Sequence, residues 1–279
     1  MDTQQNSLSS NVQASTVSKM DCLIRNGRRY TREPAPLPNT PGVDFVGHVY
    51  KCGAGCPINV TKGQRVASLI QWGGNSRYVL IPASLLIEVP EKVEATAAVC
   101  LIETYLLAFQ AFHMGQSKKE RYFHDSLQGK SILVTDGISN IGQALIELAI
   151  LSGASAVYTT ALEKNHDFLR FAGAIPLDVC QEVWLPQVQG RMDLVIDSTC
   201  IDHYISSWHA TNSFGKLVCV GMSSILDRPT DLLSSIEASW TKAKTKLMPR
   251  TEIYDLYENW NDDFDGCKVS LLLRMLLTF

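Results

Sequence analysis

The sequence predicts an α/β chain in two parts: an antiparallel barrel or sandwich, then a doubly wound parallel sheet. Three observations lead there. Residues 1 to about 105 carry a turn signal every ten residues or so ("NGRR", "PLPNTPG", "KCGAGCP", "TKGQ", "WGGN"), with short β-type runs between them. From about residue 129, strands alternate with helices, and the strands are nearly continuous apolar runs, as in a parallel sheet covered on both faces. At the start of that second part, "SILVTDGISNIGQALIELAI" (131–150) reads as strand, small-residue turn and helix.

In the first part the expected strands are "VDFVGHVY", "RVASLI", "SRYVLIP" and "LLIEVP". In the second, "SILVT", "AVYTT", the short "AIPLD", "MDLVIDS", "GKLVCVG" and "RTEIYDL" are the strands. The helices between them are "IGQALIELAILSG", "EKNHDFLRFAG", "IDHYISSWHATNSFG" and "DLLSSIEASWTKAK", with a last one from about Asp262. The strand order expected for this alternation is 3-2-1-4-5-6. The two domains are expected at 1–110 and 111–279.

Bulk composition narrows the function classes. The chain has 279 residues, 46% hydrophobic and 19% charged, which is the make-up of a soluble globular protein. A net charge of −3 gives no electrostatic case for nucleic acid or an anionic membrane as partner. Eight cysteines without a CxxC pair read as reduced, mostly buried thiols of an intracellular, cytoplasmic protein. The N-terminus has no basic and apolar leader pattern. "AAVCLIETYLLAFQAF" is interrupted by Glu103 and is read as too short to span a bilayer.

The turn of the 131–150 unit carries the chemistry. A pyrophosphate needs backbone N–H groups aimed at it, the positive end of a helix dipole and no side chain in the way. Three glycines usually provide this. In Gly137-Ile138-Ser139-Asn140-Ile141-Gly142 the first and third are present and Ser139 stands at the second. A glycine-type backbone at Ser139 would cost on the order of 1–3 kcal/mol, part of which its hydroxyl recovers by donating to a phosphate. The N–H groups of Asn140, Ile141 and Gly142 are the expected phosphate donors. Asp136, at the mouth, either caps the helix or competes with a phosphate for its positive end.

Several segments together resemble the medium-chain dehydrogenase/reductase superfamily, in its zinc-free quinone oxidoreductase-like branch. They are "MDCLIRNGRRY", "LPNTPGVDFVGHV", "KGQRVA", the spacing from Ile132 to Gln143, "DLVIDS", "GKLVCVGM" and "TEIYDLYENW". The resemblance implies a GroES-like barrel domain, here incomplete, followed by a Rossmann domain, in a chain that looks truncated at both ends. It implies hydride transfer from NADPH, with NADH as the alternative, to a quinone or an activated alkene or carbonyl. It implies a small-molecule substrate and a homodimer as the candidate assembly, with no nucleic acid or membrane partner.

The same resemblance assigns roles. Tyr30 matches a tyrosine near the nicotinamide, and Ser18 stands where many relatives have Asn; both can offer a hydrogen bond to the substrate oxygen. Leu107, where many relatives have Thr, cannot. Thr160, Gly221 and Met222 fall at cofactor positions. At the end of the second strand, "TTALEKN" offers Ala161 and Leu162 where a carboxylate for a ribose hydroxyl would stand, with Glu163 and then Lys164 following; Lys164 suits a 2′-phosphate, which favours NADPH, and the alternative is that Glu163 and Lys164 are a solvated helix start. Zinc-dependent relatives have His-Glu where this chain has Val43-Asp44, and no four-Cys cluster is present. His48, Cys52 and Cys56 have only a superficially ligand-like spacing, so no metal is expected. The alternative to an enzyme is a binding or scaffold protein that keeps the fold and has lost the pyrophosphate site; the ends also admit a defective product.

Overall fold

The computed structural model describes residues 7–18, 21, 22, 25, 37–56, 60–115, 127–180, 184–221 and 232–254. Among them two compact units part at Leu106/Leu107.

The first unit is a five-stranded, all-antiparallel sheet. Its strands are β1 (Ser7–Ala14), β2 (Asp44–Cys52), β3 (Arg65–Leu69), β4 (Tyr78–Pro82) and β5 (Ile87–Glu88), in the order β4-β1-β2-β3-β5. In β4, Val79 and Ile81 are buried while Tyr78, Leu80 and Pro82 are exposed, the two-residue period of a strand with one wet face. Its Pro82 is tolerated because β4 lies at an edge. β1 has little strand signal in its sequence. It forms because it is paired on both sides, Leu8 opposite Cys52 on β2 and opposite Ile81 on β4.

Helix α1 (Ala95–Gly115) begins in this unit. Its Ala98, Val99, Ile102 and Leu106 form one cluster with Val46, Ala67, Leu69 and Ile87 of the sheet. At 21 residues the helix is longer than its apolar core suggested, and by length and composition alone it could cross a bilayer. That corrects the expectation of a run too short to span; what marks it as a core helix is this packed stripe.

The second unit is a six-stranded parallel sheet. Strands β6 (Ser131–Val134), β7 (Ala156–Ala161), β8 (Ile175–Asp178), β9 (Met192–Asp197), β10 (Thr211–Cys219) and β11 (Thr251–Ile253) run in the order β11-β10-β9-β6-β7-β8. Numbered within the unit, that is 3-2-1-4-5-6. Helices α2 (Asn140–Leu151), α3 (His166–Phe171), α4 (Trp184–Val188), α5 (Ile205–Ala210) and α6 (Leu232–Lys246) lie between the strands in sequence.

Two expectations need correction. The helix read over 201–215 is only the six residues of α5, because Thr211 to Gly215 open β10 instead. The helix read from 163 starts as a 3-10 turn, Glu163–Asn165, before α3. The helix expected from Asp262 lies outside the described residues.

Candidate functional site

The turn after β6 meets the C-terminal ends of β6 and β9, the point where strand order reverses and where open α/β sheets hold ligands. Thr135 Oγ1 donates to Asp197 Oδ1 (3.0 Å) and accepts from Ser198 N–H (3.1 Å), tying the two strand ends together. Asp197 is buried and accepts from Thr199 N–H (2.8 Å), Thr199 Oγ1 (2.9 Å), Cys200 N–H (3.0 Å) and Ser207 Oγ (2.5 Å). Sequence reasoning placed no role on Asp197. The signal was an acidic residue closing an apolar strand before Ser-Thr-Cys.

The glycines are fixed by space. A Cβ on Gly137 would stand 2.1 Å from Thr159 Oγ1, and one on Gly142 would stand 2.2 Å from the Asp136 carbonyl oxygen. The helix start is therefore drawn onto the turn, as a phosphate cradle requires.

Ser139 departs from expectation. Its φ of −66° and ψ of 159° are ordinary extended backbone, so the anticipated glycine-type strain is absent. It is the N-cap of α2: its Oγ accepts from Gly142 N–H (3.1 Å) and donates to the Asp136 carbonyl (2.8 Å). This corrects three expectations. The cap is Ser139 and not Asp136, the hydroxyl is already spent, and the Gly142 N–H is not left for a phosphate. Asn140 and Ile141 remain as the first-turn donors.

The strain lies instead at Asp136, whose φ of +54° is left-handed. Its N–H donates to Thr160 Oγ1 (3.0 Å), and the Gly137 N–H donates to the Thr160 carbonyl (3.2 Å). Thr160 is thus a buried anchor for the turn. Burial pushes the Asp136 carboxyl up, and the neighbouring Ser139 side chain pulls it partly back.

Of the remaining positions, Lys164 is exposed at the end of β7 in the 3-10 turn. Gly221 accepts from Tyr204 Oη at 2.5 Å, and a Cβ there would stand 3.0 Å from the Ser198 carbonyl oxygen. Tyr30 and Met222 lie outside the described residues. The residues fit a dinucleotide: the glycine-spaced turn and helix start would hold the phosphates, and among the described residues Asp136 opposes them.

In the first unit Ser18 follows β1. Its N–H donates to Asp21 Oδ2 (2.8 Å), and its Oγ is buried with no hydrogen-bond partner. Asp21 Oδ1 accepts from Gly42 N–H (2.7 Å). Asp44 Oδ1 accepts from Thr16 N–H (2.9 Å) and Oγ1 (2.7 Å), while its Oδ2 has no partner. Burial pushes Glu103 up to about 7, with Asp44 and Asp21 adding to the effect. Among the described residues no three His, Cys, Asp or Glu side chains gather as a metal site. Cys52 Sγ faces the Val60 carbonyl (3.8 Å), Cys56 Sγ the Ser7 carbonyl (3.5 Å), and His48 Nε2 lies 3.9 Å from Glu91.

Comparison with known proteins agrees with this architecture. Residues 5–91 match the alcohol dehydrogenase GroES-like domain. The chain is 26% identical over 235 residues to the synaptic vesicle membrane protein VAT-1 homolog of Rattus norvegicus, covering 82% of this chain and 55% of that protein. It is 27% identical over 198 residues to a chloroplastic NADPH-dependent alkenal/one oxidoreductase of Arabidopsis thaliana, covering 67% and 48%. The chain thus spans about half the length of these curated relatives. Among solved structures, the quinone oxidoreductase of Thermus thermophilus, also determined with NADPH, superposes with a TM-score of 0.68 at 20% identity, covering 96% of this chain and 78% of that one.

Proposed function

We propose that the chain is a quinone oxidoreductase-like member of the medium-chain dehydrogenase/reductase superfamily and acts as an NADPH-dependent, zinc-independent oxidoreductase on a quinone or an activated alkene or carbonyl; the match of residues 5–91 to a GroES-like domain and the likeness to quinone oxidoreductases support this. The observation that carries the reading is the turn between β6 and α2. Gly142 admits no side chain, so the helix start lies against the turn with the Asn140 and Ile141 N–H groups at its end.

When bound, the cofactor supplies the hydride. The chain's own residues bind and orient it. Asn140 and Ile141 hold the phosphates. β7 ends on Ala161, and Lys164 in the turn after it suits a 2′-phosphate, although Glu163 stands beside it; NADH is the alternative. Ser18 Oγ, buried and unpaired, is a donor for the substrate oxygen, and Tyr30 is the second. A small-molecule substrate and a cytoplasmic setting belong to the same reading, as does a homodimer.

The second reading, a fold that has lost cofactor binding, is favoured by one observation: the Asp136 carboxyl at the positive end of α2. Titration of the protein with NADPH, followed by nicotinamide fluorescence, separates the two. Saturable binding with quinone or enone turnover supports the enzyme. No binding at millimolar NADPH leaves the scaffold.

A further inference from the structure

Two thiols stand at the end of β2. Cys52 is the last residue of the strand, and Cys56 follows it across the turn Gly53-Ala54-Gly55-Cys56. The turn is closed by the Cys56 N–H, which donates to the Gly53 carbonyl (3.2 Å). A closed turn of this kind brings its end residues within about 7 Å of each other, Cα to Cα. Cys56 is thereby folded back beside the end of β2.

β1 fixes the arrangement from the side. The Ser7 carbonyl accepts from the Gly53 N–H (2.9 Å), the amide that directly follows Cys52, and from the Cys56 Sγ (3.5 Å). The Cys56 sulfur and the peptide group next to Cys52 therefore converge on one oxygen. The two side chains also share a packing site. Both lie against the cluster of Leu8, Val49 and Ile81, and so does Val60, whose carbonyl accepts from the Cys52 Sγ (3.8 Å).

The chemistry of the pair follows from its neighbours. Each sulfur faces a carbonyl, so each is a protonated thiol that donates. Among the described residues no third His, Cys, Asp or Glu joins them, so they offer a metal too few ligands for a closed site. Both are partly exposed, within reach of a small molecule, whereas Cys200 and Cys219 are buried. Burial pushes the Cys52 thiol up, and the neighbouring Cys56 thiol adds to the effect.

We propose that Cys52 and Cys56 are a reactive dithiol, reversibly oxidised to an intramolecular disulfide by a small-molecule disulfide of the glutathione type. One cysteine, as thiolate, attacks a sulfur of the oxidant; the S–S bond of the oxidant breaks and its first half leaves as a thiol. The second cysteine then attacks the protein sulfur of the mixed disulfide, and the other half leaves as a second thiol. Two S–H bonds of the chain become one S–S bond, and two protons and two electrons depart with the two small thiols. Closure removes both S–H donors, while the Ser7 carbonyl keeps the Gly53 N–H. None of this depends on cofactor binding.

The test uses the native parent chain, equilibrated at mildly alkaline pH in glutathione buffers that run from mostly reduced to mostly oxidised. Free thiols are trapped with a maleimide, and the chain is digested with trypsin and weighed. Cleavage after Lys51 and Lys62 puts both cysteines on one peptide, residues 52–62. In oxidising buffer that peptide should become two hydrogens lighter and carry no label, and dithiothreitol should restore both labels. The fold holds the thiols together, so half-oxidation should need an oxidised-to-reduced ratio at least about tenfold lower for the native chain than for the chain in urea. A peptide that keeps two labels in the most oxidising buffer overturns the proposal. So does one that carries glutathione without closing, or that is cross-linked to another cysteine of the chain. Equal ratios with and without urea overturn it as well.

Discussion

Replacing Asp136 by Asn isolates the carboxylate that opposes phosphate at the turn. Asn tolerates the left-handed backbone at +54° as Asp does, so the change removes the charge and keeps the conformation. For a phosphate held at the α2 N-terminus, a separation on the order of 6 Å is taken to size the repulsion. Two unit charges at that distance repel by about 0.7 kcal/mol in bulk water and about 3 kcal/mol at an effective dielectric of 20. Asp136 is half-buried, so about 1.5 kcal/mol is appropriate, or about tenfold in Kd.

The sign with pH follows from the direction of the shift. Burial raises this carboxyl, so it is charged at pH 8 and takes up a proton as the pH falls through its raised range. The Kd ratio of parent to Asp136→Asn should be about 10 at pH 8 and should shrink towards 1 at low pH. Taking the ratio cancels the cofactor's own 2′-phosphate, which titrates near about 6. NADPH fluorescence titrations at several pH values measure it. A ratio within twofold of 1 at pH 8, with both proteins binding, refutes the claim that Asp136 faces the phosphates.

Four other outcomes follow from the packing. Gly142→Ala puts a Cβ 2.2 Å from the Asp136 carbonyl oxygen; it should cost about 2–3 kcal/mol by urea denaturation and weaken NADPH binding at least tenfold, and a fully stable variant would contradict it. Arg65, buried, donates to the Pro90 (2.9 Å), Glu91 (3.3 Å) and Val93 (2.5 Å) carbonyls, so Arg65→Met should cost about 3 kcal/mol in the same assay. Glu103 is raised from 4.5 to about 7, so its stabilising share is full below 4.5 and is lost as the pH rises through 7; Glu103→Gln should gain about 2 kcal/mol on the parent between pH 5 and 8, read from melts across that range. Metal analysis of the purified protein should find well under one zinc per chain, and chelators should leave the melting temperature unchanged; one zinc per chain would return attention to His48, Cys52 and Cys56.

The parallel half was legible because its strands are buried on both faces. "ILV" in β6 and "LVID" in β9 carry an apolar signal that local chemistry cannot blur. β1 was not legible, since Ser7, Ser9 and Ser10 give no apolar period and the strand exists through its two neighbours. The false start of β10 has a similar cause. "TNSFG" carries little apolar strand signal, yet Thr211 is paired with Met192 of β9.

At the site, sequence reasoning found the turn and misjudged which residue bears its cost. A serine in place of a glycine suggested strain at 139, but the capping of α2 holds that serine in comfortable extended backbone. The conformation that favours glycine sits three residues earlier, at Asp136, and the anchoring Thr160 lies on the next strand. Neither could be read from residue types, because the hydroxyl that receives the Asp136 N–H comes from a neighbouring strand. The two substitutions are therefore unequal. Ser139 closes the first turn of the helix and should be kept, since Ser139→Gly gives up a cap for no relief of strain. Asp136 holds both the left-handed backbone and the opposing charge, so a chain tuned for tighter dinucleotide binding would change position 136 alone.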